Sequence, residues 1–170
     1  MKIYDPKKIL VALDFSDLCM GILRAGVEIG KLRGTEVTVL HVGKESEHRV
    51  TGGYTAEAGR IIPLSKLLDD ARMKVESRLE SMLREVSAGP KVKSVFLWGD
   101  PAKDILSLAE TGDYDLIIMG THGRNKLSRF LLGSVTEQVI RRAPCPVLII
   151  RDKVATKQFI QAEVQQAAAE

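Results

Sequence analysis

The chain has 170 residues and a mass of 18.7 kDa, with 25 Lys+Arg against 22 Asp+Glu for a formal charge of +3. That length suits a single domain and buries a core without disulfides or a structural metal. A weak, mixed-sign charge excess argues against a dedicated polyanion binder, and an aromatic content of 5% argues against a stacking platform for single-stranded nucleic acid. In chain order, KILVALD at 8–14 reads as a strand buried on both faces, nearly continuous in branched apolar residues. Ser16 or Asp17 offers an N-cap to a helix running to about residue 32, with Gly34 as its stop. TEVTVLHV at 35–42 is a second strand. Residues 43–64 hold five glycines or prolines, mixed charges and little periodicity, and read as an excursion without regular elements.

A long amphipathic helix follows over 65–87, ended by Gly89-Pro90. KVKSVFLWG at 91–99 is a third strand, and Asp100-Pro101 caps a short helix to about residue 110. DLIIMG at 115–120, a helix over 134–142 and VLIIR at 147–151 complete the pattern. Strands alternating with helices imply right-handed βαβ units, hence an α/β fold with a parallel sheet covered on both faces. The segment 152–170 is a weakly amphipathic extension, read as a frayed helix, so the expected division is a fold over 1–151 and a tail over 152–170. Cys19 and Cys145 form no CxxC and read as two reduced thiols. The longest apolar run, 9–13, is far below the ~20 residues a membrane span needs, and the first six residues carry no signal-peptide core, so a cytoplasmic chain is expected.

The segment with chemical content is GTHGRNKLSRFLLGS, 120–134. It follows a buried strand and leads into a helix, the place where open parallel sheets bind ligands. Gly120 and Gly123 let backbone turn and approach a ligand. Gly133-Ser134 opens a helix whose free N–H groups and dipole favour a phosphate, with Ser134 and Thr136 as hydroxyl donors. Arg124, Lys126 and Arg129 lie in the segment without an acid. The plain alternative is a basic surface loop that needs glycine to turn. Neither a Walker A loop nor GxGxxG after the first strand is present, so the ordinary P-loop and dinucleotide readings fail.

GTHG, nine residues, then GS resembles the Gly-x2-Gly-x9-Gly-Ser/Thr pattern of the ATP-binding branch of the universal stress protein family. The strand LIIMG before it, the run APCPVLII after it, the opening ILVALDFS and the LHV ending the second strand resemble that family too, over about residues 5–151. The resemblance implies a single open, Rossmann-like sheet of five parallel strands, order 3-2-1-4-5, binding ATP across the ends of strands 1 and 4. It implies Asp14 near ribose or base and Val42 contacting adenine through its backbone. It places Met119 and Gly120 along the ribose and base edge, and Gly123, Arg124, Gly133, Ser134, Val135 and Thr136 around the phosphates. Mg²⁺ or Mn²⁺ would bridge the phosphates, and a homodimer would form through the fifth strand, Val147–Ile150.

From the residues alone, an acid ending a strand before Ser16, as Asp14 does, has capping of the next helix as its alternative, with binding favoured and the two roles compatible. His41 reads as a packed or surface histidine, and His122 as a phosphate contact or a solvated residue. No nucleophile, base or ligand-type cluster stands in the glycine-framed site, so catalytic residues are none and ATP hydrolysis is at most slow. The expectation is an ATP-binding regulatory, stress-response protein whose nucleotide orders the loop and biases dimer or partner contacts, with no nucleic-acid or membrane partner. A receiver-like phosphoacceptor domain, with Asp14, Asp17, Asp100 and Thr121 in its acidic and switch positions, is the alternative. A member acting only through protein contacts is the third reading.

Overall fold

A computed structural model describes residues 5–44, 54–57, 60–86, 88–89, 91–121 and 132–151. The elements are β1 (Lys8–Leu13), α1 (Cys19–Arg33), β2 (Glu36–Gly43), β3 (Tyr54–Glu57), β4 (Arg60–Pro63), α2 (Leu64–Glu85), β5 (Val92–Trp98), α3 (Pro101–Thr111), β6 (Leu116–Gly120), α4 (Ser134–Arg142) and β7 (Val147–Ile150). Five of the strands form one sheet in the order β5-β2-β1-β6-β7, every neighbouring pair parallel. Counting only this sheet's strands, that is 3-2-1-4-5, the Rossmann-like arrangement expected.

β1 is central, and its alternate residues feed two cores. Ile9, Val11 and Leu13 pack with Val37, Val39 and Ile118 against Ile22, Leu23 and Val27 of α1 and Leu79 and Met82 of α2. Leu10 and Ala12 pack with Leu40, Val42, Ile117 and Met119 against Ile105 and Ala109 of α3 and Val139 of α4. Helices therefore cover both faces, and period-two alternation along a strand of wholly apolar residues serves both at once. Asp115 fixes where β1 begins, its carboxylate accepting the N–H groups of Lys7 at 2.7 Å and Lys8 at 2.9 Å.

Two local expectations change. Residues 43–64 are not wholly irregular, because β3 and β4 pair antiparallel as a hairpin, Thr55 opposite Ile62 and Ala56 opposite Ile61, and β4 runs straight into α2. Neither Ser16 nor Asp17 caps α1. Its N-cap is Leu18, with no side-chain bond, because residues 16–18 form a turn in which the Cys19 N–H reaches the Ser16 carbonyl at 3.0 Å. The other boundaries hold closely. Gly34 ends α1 in the left-handed region, φ 63°, where glycine carries no Cβ penalty. Asp100 caps α3 by accepting the Lys103 N–H at 3.0 Å, with Pro101 in the first turn. The extension 152–170 lies outside the described residues.

The sheet turns direction between β1 and β6. Chain order runs outward from β1 through β2 to β5, then crosses to β6 and β7. The carboxyl ends of β1 and β6 flank this switch point, where an open α/β sheet leaves a crevice. The receiver-like alternative requires the order 2-1-3-4-5, so the observed order overturns it.

Candidate functional site

The crevice is built from the end of β6 and the start of α4 on one side, and the ends of β1 and β2 on the other. Met119 is buried and Gly120 half-buried at the end of β6. Thr121 is buried, and its N–H donates to the Ile150 carbonyl at 3.3 Å, continuing the sheet one residue further. Its carbonyl accepts the Gly133 N–H at 2.8 Å. The Thr136 hydroxyl donates to the Gly120 carbonyl at 2.9 Å. Two hydrogen bonds thus close the segment between Thr121 and Gly133 at its base and seat the amino end of α4 against the end of β6.

This staple determines which donors face a ligand. In α4 the Glu137 N–H is bound to the Gly133 carbonyl at 2.9 Å. The N–H groups of Ser134, Val135 and Thr136 precede it and have no intrahelical acceptor, which makes the helix start an anion-binding terminus. Ser134 is exposed, Val135 half-buried and Thr136 buried. Thr136 therefore differs from expectation. Its hydroxyl proton is committed to Gly120, so the residue offers its backbone N–H rather than a hydroxyl donor. Glu137 would oppose an anion in the first turn, but Arg141 donates to its Oε1 from Nη2 at 3.0 Å and Nε at 3.2 Å. Gly133 itself has φ −60° and ψ 147°, ordinary extended backbone.

Across the crevice, Asp14 follows β1 and is half-buried, and its Oδ1 accepts the Ser16 N–H at 3.0 Å. The carboxylate shapes the β1–α1 turn, which is part of the capping alternative, though it acts before the helix rather than at its cap. Val42 is buried near the end of β2. His41 is buried beside it, its Nδ1 2.7 Å from the Leu13 carbonyl. A carbonyl only accepts, so Nδ1 carries the proton. The sequence left His41 open; it is a packed histidine with a specific bond.

Thr121, hub of the staple, is a residue that motif spacing does not single out. Its signal was a polar residue directly after a strand of wholly apolar ones. Gly123, Arg124, His122, Lys126 and Arg129 lie outside the described residues. Among the described residues no three His, Cys, Asp or Glu side chains gather as a metal cage, and no helix is long and apolar enough to cross a membrane. The donors at the start of α4 suit an anionic ligand.

The family model described as the universal stress protein family matches residues 6–151. The chain belongs to the universal stress protein family. It is 33% identical over 156 residues to universal stress protein MJ0577 of Methanocaldococcus jannaschii, a match covering 86% of this chain and 96% of that one. It is 32% identical over 149 residues to universal stress protein YxiE of Bacillus subtilis, covering 85% and 98%. The solved structure of MJ0577 superposes with a TM-score of 0.72, covering 89% of this chain and 99% of that one. A universal stress protein from Archaeoglobus fulgidus, 27% identical with a TM-score of 0.56 over 84% of this chain and 96% of that one, was solved in complex with dAMP.

Proposed function

We propose that this family member binds ATP with a divalent cation across the ends of β1 and β6 and acts as a regulatory protein of the stress response. The observation carrying the reading is the stapled start of α4. Three consecutive N–H groups are fixed at the sheet's switch point, held there by the Thr121–Gly133 and Thr136–Gly120 bonds. Such a terminus stabilises phosphate by directed N–H donors and by the helix dipole together. The dAMP complex of the A. fulgidus relative supports an adenine nucleotide as the ligand class.

In this reading Ser134, Val135 and Thr136 hold the phosphates from the helix start, with Gly133 beside them and Gly123 and Arg124 supplied by the preceding segment. Met119 and Gly120 line the ribose and base edge, Val42 meets adenine with its backbone, and Asp14 accepts from the ribose or base. The cation, Mg²⁺ or Mn²⁺, neutralises phosphate charge and is held through phosphate oxygens, since oxygen-rich anions suit a hard ion. The bound nucleotide holds the 122–131 segment in one arrangement and so biases contacts made there with a client or with a second copy.

The second copy pairs through β7. That strand lies at the sheet edge, bonded to β6 alone in the sheet order, and Leu148 is exposed on it. An uncovered apolar edge strand is a ready template for pairing.

Calorimetric titration with ATP and Mg²⁺ tests the nucleotide reading. The wild-type chain binds, Asp14→Ala weakens ATP about tenfold or more, and inorganic tripolyphosphate binds both proteins alike. Equal ATP affinity in the two proteins rejects Asp14 as a ligand.

A further inference from the structure

The turn leaving β1 is held by contacts that phosphate binding does not require. Phe15, directly after Asp14, has φ 58°, a left-handed conformation that a bulky residue adopts only under constraint. Its ring meets the His41 imidazole at a centroid distance of 4.2 Å. The Arg78 guanidinium of α2 lies 4.2 Å from the centroid of the same ring. His41 also stacks on Phe96 of β5 at 5.9 Å and 15°, and the Arg72 guanidinium lies 5.2 Å from the Phe96 centroid. Through Nδ1 it holds the Leu13 carbonyl at 2.7 Å. His41 therefore grips the residues on both sides of Asp14, the carbonyl of Leu13 and the ring of Phe15. It is also the residue before Val42.

We infer that His41 is a positioning residue for the adenosine half of the site, fixing Asp14 and the Val42 backbone relative to each other without touching nucleotide. Arg78 completes the bracket from α2 by pressing on the strained Phe15. The inference rests on the adenine-nucleotide reading above. Its chemical content is specific: one N–H donor at the Nδ1 position, tying the end of β1 to β2, and one planar contact on Phe15. A histidine that merely filled the core would be replaceable by an apolar residue of similar volume.

The test titrates ATP with Mg²⁺, AMP and inorganic tripolyphosphate into wild type, His41→Asn, His41→Leu and Arg78→Leu. Asn keeps an N–H donor near the Nδ1 position, whereas Leu keeps volume and removes the donor. His41→Leu is expected to weaken ATP and AMP by the same factor, about tenfold, with His41→Asn within about threefold of wild type. Tripolyphosphate binding is unchanged in both. Arg78 is exposed, so Arg78→Leu folds, and it weakens ATP about threefold. Wild-type ATP affinity in folded His41→Leu, or equal losses in Asn and Leu, overturns the inference. If His41→Leu does not fold, wild-type affinity in Arg78→Leu overturns it. A wild-type chain that binds tripolyphosphate but neither ATP nor AMP overturns instead the nucleotide reading on which it stands.

Discussion

Thr136 joins sequence, packing and function in one side chain. Its hydroxyl bonds the Gly120 carbonyl at 2.9 Å from a buried position, so Thr136→Val keeps the shape and deprives that carbonyl of its donor. A loss of about 1–3 kcal/mol in denaturant unfolding is expected, with Thr136→Ser recovering most of it. Equal stability of the Val variant would contradict the staple. Cys19 makes a separate, pH-linked prediction. Burial first, and the Asp14 charge second, push its thiol up to about 11 from 9.0, while Arg78 and a backbone hydrogen bond from Phe15 act the other way. The folded value lies above the unfolded one, so the folded state favours the neutral thiol. That contribution is fully present below pH 9 and is lost as pH rises through 9 towards 11, an effect on the order of 2–3 kcal/mol. Stability curves should therefore fall across that window, and less so in Cys19→Ala. The strand end at Gly120 and the helix start at Gly133-Ser134 were legible from the sequence, whereas the Thr136 bond was not. A threonine one turn into a helix looks the same whether its hydroxyl faces a ligand or a strand carbonyl.

At the scale of elements, β1 and β6 were readable because strands buried by helices on both faces are continuous apolar runs, and β2, β5 and β7 through their branched and aromatic residues. The β3–β4 hairpin was not. Four-residue strands, YTAE and RIIP, are too short to show a period, and Pro63 closes the second one. Helix α1 conceals another feature, since its glycines look like weaknesses in a helix. A Cβ on Gly26 would lie 2.4 Å from Cγ2 of Val11, and one on Gly30 2.4 Å from Cγ2 of Val37. These two glycines let α1 lie directly on β1 and β2. Gly21, exposed on the same helix, has nothing within 4 Å. Gly21→Ala is therefore expected to stabilise by about 0.5–1 kcal/mol through helix propensity. Gly26→Ala is expected to destabilise, because the buried Val11 cannot yield the required space. Thermal unfolding of both variants decides the point; equal shifts of the same sign would contradict the packing.

At the scale of the molecule, the strand order matters most. Reversal between β1 and β6 opens the crevice, and α4 starts at its rim with three N–H groups fixed in place. A formal charge of +3 gives little hint of this, because net charge averages over the chain, whereas the sequence 120–134 holds Arg124, Lys126 and Arg129 and no acid. The parallel α/β class was legible from the alternation of strands and helices, whereas the strand order came only with the family resemblance that the glycine pattern carries. The contacts of Phe15 with His41 and Arg78 were not legible, because they join the turn after β1 to β2 and α2, which no local pattern connects. The most direct test of nucleotide binding is native mass spectrometry of the protein with ATP and Mg²⁺, beside a Gly123→Val and Gly133→Val double variant of unchanged circular dichroism. The expected result is a wild-type dimer carrying one nucleotide per chain and a double variant carrying none. An equal nucleotide adduct on both, or none on the wild type, would contradict the assigned site.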